Sequence, residues 1–215
     1  MKRKTLIITA VVGIATALGV GTLAYQSQRA DAAQVLAREV FLARAHAPTA
    51  GPTEAKVHIV EFLDPACGTC ATFYPFVKRM MAANPGKIRV SVRYAPFHNN
   101  SDYVVKVLEA TRKQGKYWES LEALLGSQQR WAPNHSPQPD LVWAELAGLG
   151  LDLERVRVDM NAPDVVSSVQ QDIADAKALR VTQTPEYFVN GKPMPSFGYD
   201  QLAALVNESL ATTYR

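Results

Sequence analysis

The chain has only two cysteines in 215 residues, Cys67 and Cys70, and a bond between them would close a tiny loop of little stabilising value. It also lacks the basic stripe interleaved with aromatics that marks a nucleic-acid surface. The formal charge of +3 belongs to the start of the chain. Residues 1–30 hold Lys2, Arg3, Lys4 and Arg29 and no acid, so the remaining 185 residues carry 19 bases against 20 acids. Internal repeats and low-complexity tracts are missing, and the four histidines (His46, His58, His98, His135) are scattered. What is left fits one globular domain, with or without a large insertion.

There is a single long apolar run, Thr5–Tyr25, behind the basic Lys2–Lys4. Its 21 uncharged residues match a bilayer-spanning helix better than the roughly 7–15 of a secretory core. The positive-inside bias then sends the rest of the chain outward. "ADA" at 30–32 also fits a cleavage site, which would release a soluble form beginning at Ala33. Both readings place the domain outside the cytoplasm, where a cysteine pair is free to cycle.

Residues 31–55 read as a short helix followed by a linker with Pro and Gly. "KVHIVEFL" (56–63) is short, apolar and β-branched, the pattern of a buried strand. Phe73, Phe76, Val77, Met80 and Met81 recur at helical spacing up to "NPG" at 84–86, and "KIRVSVRYA" (87–95) is a second strand. Residues 99–180 offer only helices, the first with a Ser101 cap, and no convincing strand. "EYFVNGKPMP" (186–195) reads as a hairpin turned at Asn190-Gly191, with prolines confining its second strand to an edge. A helix from Tyr199 closes the pattern: βαβ, helical insertion, ββα.

Cys67-Gly68-Thr69-Cys70 falls at the first strand-to-helix turn. There the unpaired N–H groups and the macrodipole of the helix favour a thiolate at Cys67, while Cys70, one turn on, is the resolving thiol. Gly68 leaves room for a partner sulfur. Redox cycling is favoured over a static disulfide, a zinc half-site without its other ligands, and a copper site adding His98 or His135. Glu61, an acid in an apolar strand, is costly unless used or paired. It either exchanges the Cys70 proton or pairs with Lys56 or Lys87 at the sheet edge. Asp64 ends the strand. Pro75 either kinks the helix or begins a separate one. Thr184-Pro185 precedes a strand and is a candidate cis bond.

Taken together, the Glu-ended strand, CxxC, Pro75, "TP", "FVNGK" and the helical insertion resemble the DsbA-like branch of thioredoxin-fold thiol-disulfide oxidoreductases over residues 54–212. The resemblance implies an α/β fold with residues 56–98 and 181–212 forming the thioredoxin part. Residues 99–180 would be an all-helical insertion, and residues 1–30 a membrane helix or leader. It makes Cys67 the attacking and Cys70 the resolving cysteine, Glu61 the buried acid, and Pro185 a cis-proline beside the thiols. Gly68, Thr69 and Thr184 would meet the substrate chain. No cofactor or metal is implied. The expected partners are exported cysteine-containing proteins and a membrane redox partner, either a quinone-linked oxidase or a thiol relay, served by a monomer in the periplasm. Gly-Thr inside the motif, and Thr before the proline, depart from the Pro-His and Val of the best-known oxidase. Without a histidine in the motif, a less oxidising couple is expected.

Overall fold

The computed structural model describes Thr22, residues 25–27 and residues 29–215. Apart from Thr22 and Tyr25, the expected membrane segment Thr5–Tyr25 lies outside these residues. Among the described residues no helix is long and apolar enough to cross a membrane. The chain divides into two units between Val40 and Phe41. The first is helical over 29–40, with Arg38 donating to Gln34 one turn back at 3.3 Å.

The second unit is built on five strands: β1 (Thr49–Ala50), β2 (Val57–Leu63), β3 (Ile88–Tyr94), β4 (Glu186–Val189) and β5 (Lys192–Pro193). Their order in the sheet is β1-β3-β2-β4-β5. The central β2 runs parallel to β3 and antiparallel to β4. Every residue of β2 is buried, which is why its sequence is mostly apolar on both faces rather than alternating, with His58 and Glu61 the two polar exceptions. The hairpin between β4 and β5 turns on Asn190 and Gly191, both left-handed (φ 47° and 77°), as a two-residue turn requires. Pro193 sits on the edge strand, where its missing N–H breaks no ladder.

Helix α1 (Gly68–Ala83) follows β2 as one element with Pro75 inside it, so no separate helix begins at that proline. The insertion supplies α2 (Ser101–Arg112), α3 (Tyr117–Gly126), α4 (Gln128–Trp131), a 3-10 turn (Pro133–His135), α5 (Pro139–Leu146), α6 (Leu153–Asp159) and α7 (Pro163–Ala178). Pro139 and Pro163 open their helices, where a missing N–H is harmless. Helix α8 (Tyr199–Thr213) ends the fold. One sheet face packs Val57 and Ile59 against Phe73 and Val77 of α1 and Leu202 and Val206 of α8. The other packs Val60 and Phe62 against Ala176, Val181 and Phe188. A third cluster joins Leu63, Tyr94 and both cysteines to Leu108, Leu121, Leu124 and Trp131 of the insertion.

Two expectations need correction. The stretch after Ala45 is more than a linker: Ala47 is buried, the Val92 amide donates to the Pro48 carbonyl at 2.9 Å, and β1 pairs with β3. Ser101 does not cap α2. The cap position is left-handed Asn100 (φ 63°), while Ser101 lies inside the helix and its hydroxyl donates to Asp64. The insertion is bound to the sheet by buried Arg93 of β3, which donates to Asp172 (2.7 Å), Asp175 (2.6 Å) and the Phe41 carbonyl (2.6 Å).

Candidate active site

Both cysteines sit where β2 gives way to α1. Cys67 is the N-cap of the helix, with extended backbone (φ −75°, ψ 117°) and no side-chain cap, so the first-turn amides face its sulfur. Its Sγ lies 3.1 Å from the Thr184 carbonyl oxygen, to which the thiol donates. The Thr184–Pro185 bond is cis, and Pro185 is buried beside β4. The Cys67 thiol is lowered to about 5, first by hydrogen bonding from Cys70; burial opposes this, and Thr184 and the amides of Cys70 and Thr69 lower it further. Cys70 is fully buried and shifts the other way, well above an ordinary thiol. Burial is the main cause, followed by its bond to Cys67 and the charge of Glu61. Both thiols are free in this structure.

Glu61 points from β2 toward α1 and is only 1% exposed. Its register partners are Val92 on β3 and Tyr187 on β4, and neither Glu61 Oε1 nor the Tyr187 hydroxyl has a hydrogen-bond partner. Burial raises its carboxyl to about 8, with a further rise from Cys67 and an opposing effect of Tyr187. The lysines that could have neutralised it are elsewhere, since Lys56 and Lys87 both lie over the Tyr214 ring. Glu61 instead lines a cavity of about 270 Å³ that it shares with Tyr74, Val77, Trp118 and the ion-paired Lys78 and Glu122. That space is large enough for several waters beside the buried acid.

Asp64 does more than end the strand. It is fully buried and accepts from the Ala66 amide (2.9 Å), the Phe97 and His98 amides (2.7 and 2.9 Å), His98 Nδ1 (2.7 Å) and the Ser101 hydroxyl (2.5 Å). One carboxylate thus fixes the turn before Cys67 to the start of the insertion. His98 and His135 stack at 5.1 Å beside this turn. Among the described residues no group of three or more His, Cys, Asp or Glu is arranged to hold a metal. Apart from the Ala66 amide, the partners of Asp64 lie more than 30 positions on, and no local pattern announces them.

A family model described as thioredoxin matches residues 44–208. A thioredoxin-like oxidoreductase of Silicibacter pomeroyi is 29% identical and superposes with a TM-score of 0.70 over 81% of this chain and 98% of its own. The α-DsbA1 of Wolbachia pipientis, 18% identical, shares the fold at a TM-score of 0.66 over 81% of this chain and 98% of its own. A Na⁺/H⁺ antiporter NhaA of Herminiimonas arsenicoxydans is 30% identical over 142 residues, covering 66% of this chain and 22% of the antiporter. The chain therefore spans about a quarter or less of the length of the curated relatives it matches.

Proposed function

The chain belongs to the thioredoxin family, in its DsbA-like form, and from that we propose that it is a thiol-disulfide oxidoreductase whose Cys67–Cys70 pair introduces disulfides into exported proteins. The observation that carries this reading is the opposed pair of thiols: an attacking sulfur at a helix N-terminus held at about 5, and a buried partner pushed the other way.

In the forward step a substrate thiolate attacks Cys67 in the oxidised pair. The Cys67–Cys70 bond breaks, a mixed disulfide forms, and Cys70 leaves as a thiolate that takes the proton of Glu61. Glu61 is protonated at neutral pH because burial holds its carboxyl at about 8. A second substrate thiolate then attacks the first substrate sulfur. The substrate disulfide forms, Cys67 departs as a thiolate, and two electrons have passed to the pair. A thiol of low pKa leaves readily, which favours release of oxidised product.

Thr184, with its carbonyl beside Cys67, offers backbone to an extended substrate chain. Phe197 and Tyr199, packed on Phe73 at 4.9 and 4.1 Å and each 42% exposed, give that chain an apolar surface. The apolar run Thr5–Tyr25 supports a place outside the cytoplasm, held at the membrane or released after Ala32, within reach of a membrane partner that restores the disulfide. Gly-Thr within the motif keeps the opposite direction, reduction or isomerisation fed by a thiol relay, as the second reading.

The test is transfer from oxidised protein to a reduced two-cysteine peptide, with the potential of the pair measured against glutathione. A potential well above the roughly −270 mV of thioredoxin supports the oxidase. One at or below it supports the reductase, and no transfer in either direction removes both.

A further inference from the structure

The motif carries no histidine, yet an imidazole stands against it. His135 comes from the 3-10 turn of the insertion, where it and Asn134 are both left-handed (φ 59° and 51°), a backbone that persists only when its surroundings hold it. Its Nδ1 donates to the carbonyl of Ala66 at 2.9 Å, the residue directly before the attacking cysteine. A Cβ built on Gly68 would meet His135 Cε1 at 3.1 Å, so the ring occupies the space that a side chain at the first motif position would fill.

A second side chain of the insertion acts on the next carbonyl back. Gln128, buried at the start of α4, donates to Pro65 O at 2.8 Å. The amides of the same stretch bind the other way, Ala66 N to the Asp64 carboxylate and Cys67 N to the Asp64 carbonyl. Every peptide group leading into Cys67 is thereby held, its carbonyls by the insertion and its N–H groups by Asp64. His98, bonded to Asp64 and stacked on His135, closes the ring of contacts.

We propose that His135, delivered from the insertion, is a positioning residue that takes the place of the side chain missing at Gly68 and sets the redox poise of the Cys67–Cys70 pair. It acts through the backbone. The thiolate of the reduced state is supported in part by the amides of Thr69 and Cys70, which face Cys67 at the helix N-terminus. Those amides stay in place only while the turn entering α1 is fixed. When the Ala66 carbonyl is released the turn loosens, the thiolate loses support, and the reduced form becomes less favoured. The couple becomes more reducing. Gly68 and His135 form one device, because space at the first implies a ring from the second.

The inference rests on the Cys67–Cys70 pair being redox-active, but its test reads the pair alone against glutathione. A protein that oxidised no substrate would sink the enzymatic reading and leave this comparison intact. His135→Ala is expected to move the glutathione equilibrium about fivefold toward the disulfide, about 20 mV for a two-electron couple. His135→Asn, whose amide donates from the position of Nδ1, should stay within twofold of the parent protein. Gly68→Ala, which displaces the ring, should shift the couple in the same direction as His135→Ala, and the double variant should shift it no further. If His135→Ala lowers the melting temperature but leaves the potential within twofold, the ring only packs and the proposal is overturned. A shift in His135→Asn equal to that in His135→Ala, or full additivity with Gly68→Ala, overturns it as well.

Discussion

Changing the pH separates this site from an ordinary thiol where rate at neutral pH does not. Cys67 is held at about 5 against an ordinary value of 9.0. At pH 7 it is therefore ~99% thiolate, where an unperturbed thiol would be ~1%. Intrinsic nucleophilicity falls with pKa, however, and a Brønsted coefficient of about 0.4–0.5 removes ~40- to 100-fold over this range. The two effects nearly cancel, so alkylation at pH 7 is expected within about threefold of a free cysteine. The profile differs sharply. Between pH 6 and 8 the rate should be nearly flat, and from pH 7 to 4 it should fall about tenfold, whereas an ordinary thiol rises ~100-fold from pH 6 to 8. Iodoacetamide labelling of the reduced protein, with mass spectrometry to locate the adduct, reads this directly because Cys70 is buried. Cys70→Ala should move the inflection upward, since the hydrogen bond from Cys70 is the largest contribution, and Cys70→Ser should move it less.

The stability consequence has a definite sign. A depressed acid stabilises the fold fully above its unfolded value and loses that contribution as pH falls through about 5. Stability of the reduced relative to the oxidised form should therefore rise between pH 5 and 9. Glu61, raised to about 8, destabilises the fold as pH rises from about 4.5, but it does so in both forms and largely cancels in the difference. A rate that climbs tenfold per unit from pH 6 to 8 would refute the reasoning.

Glu61→Gln should slow the exchange step that protonates Cys70 by about tenfold or more, while the Cys67 inflection stays in place. Stopped-flow kinetics checks this, and an unchanged rate returns Glu61 to a passive role. Asp64→Asn turns one acceptor into a donor facing N–H groups, and a loss of ~2–4 kcal/mol is expected in urea unfolding. Arg93→Leu strands Asp172 and Asp175 without their central cation and should cost ~3–5 kcal/mol, and a loss under ~1 kcal/mol in the same assay would mean that the network is incidental.

What could be read from sequence was local. The apolar run of β2, the helical spacing of Phe73 and Val77, and the Asn190-Gly191 turn each settle their own backbone, and those elements fall within a residue or two of expectation. Cys67 and Cys70 were legible because three-residue spacing at a strand-to-helix turn has a chemical meaning by itself. Arg93 could not be read this way, because its acids lie some 80 positions away on α7. Nor could β1, which has two residues and exists only through pairing with β3. Asp64 looked like a strand terminator because its donors at Phe97, His98 and Ser101 come from the far side of β3. His135 reaches the motif across 69 positions, and nothing near it in the chain suggests a cysteine.

The central claim is that Cys67 attacks and Cys70 resolves, and trapping tests it most directly. Cys70→Ala and Cys67→Ala variants would be expressed as the full 215-residue chain and quenched in acid. Covalent adducts are then resolved on non-reducing gels, with protein mass spectrometry of each. The site geometry predicts mixed disulfides through Cys67 in the Cys70→Ala variant and none in Cys67→Ala, because only Cys67 stands at the helix N-terminus with its sulfur beside the Thr184 carbonyl. Equal trapping by the two variants, or trapping through Cys70 alone, would contradict the account.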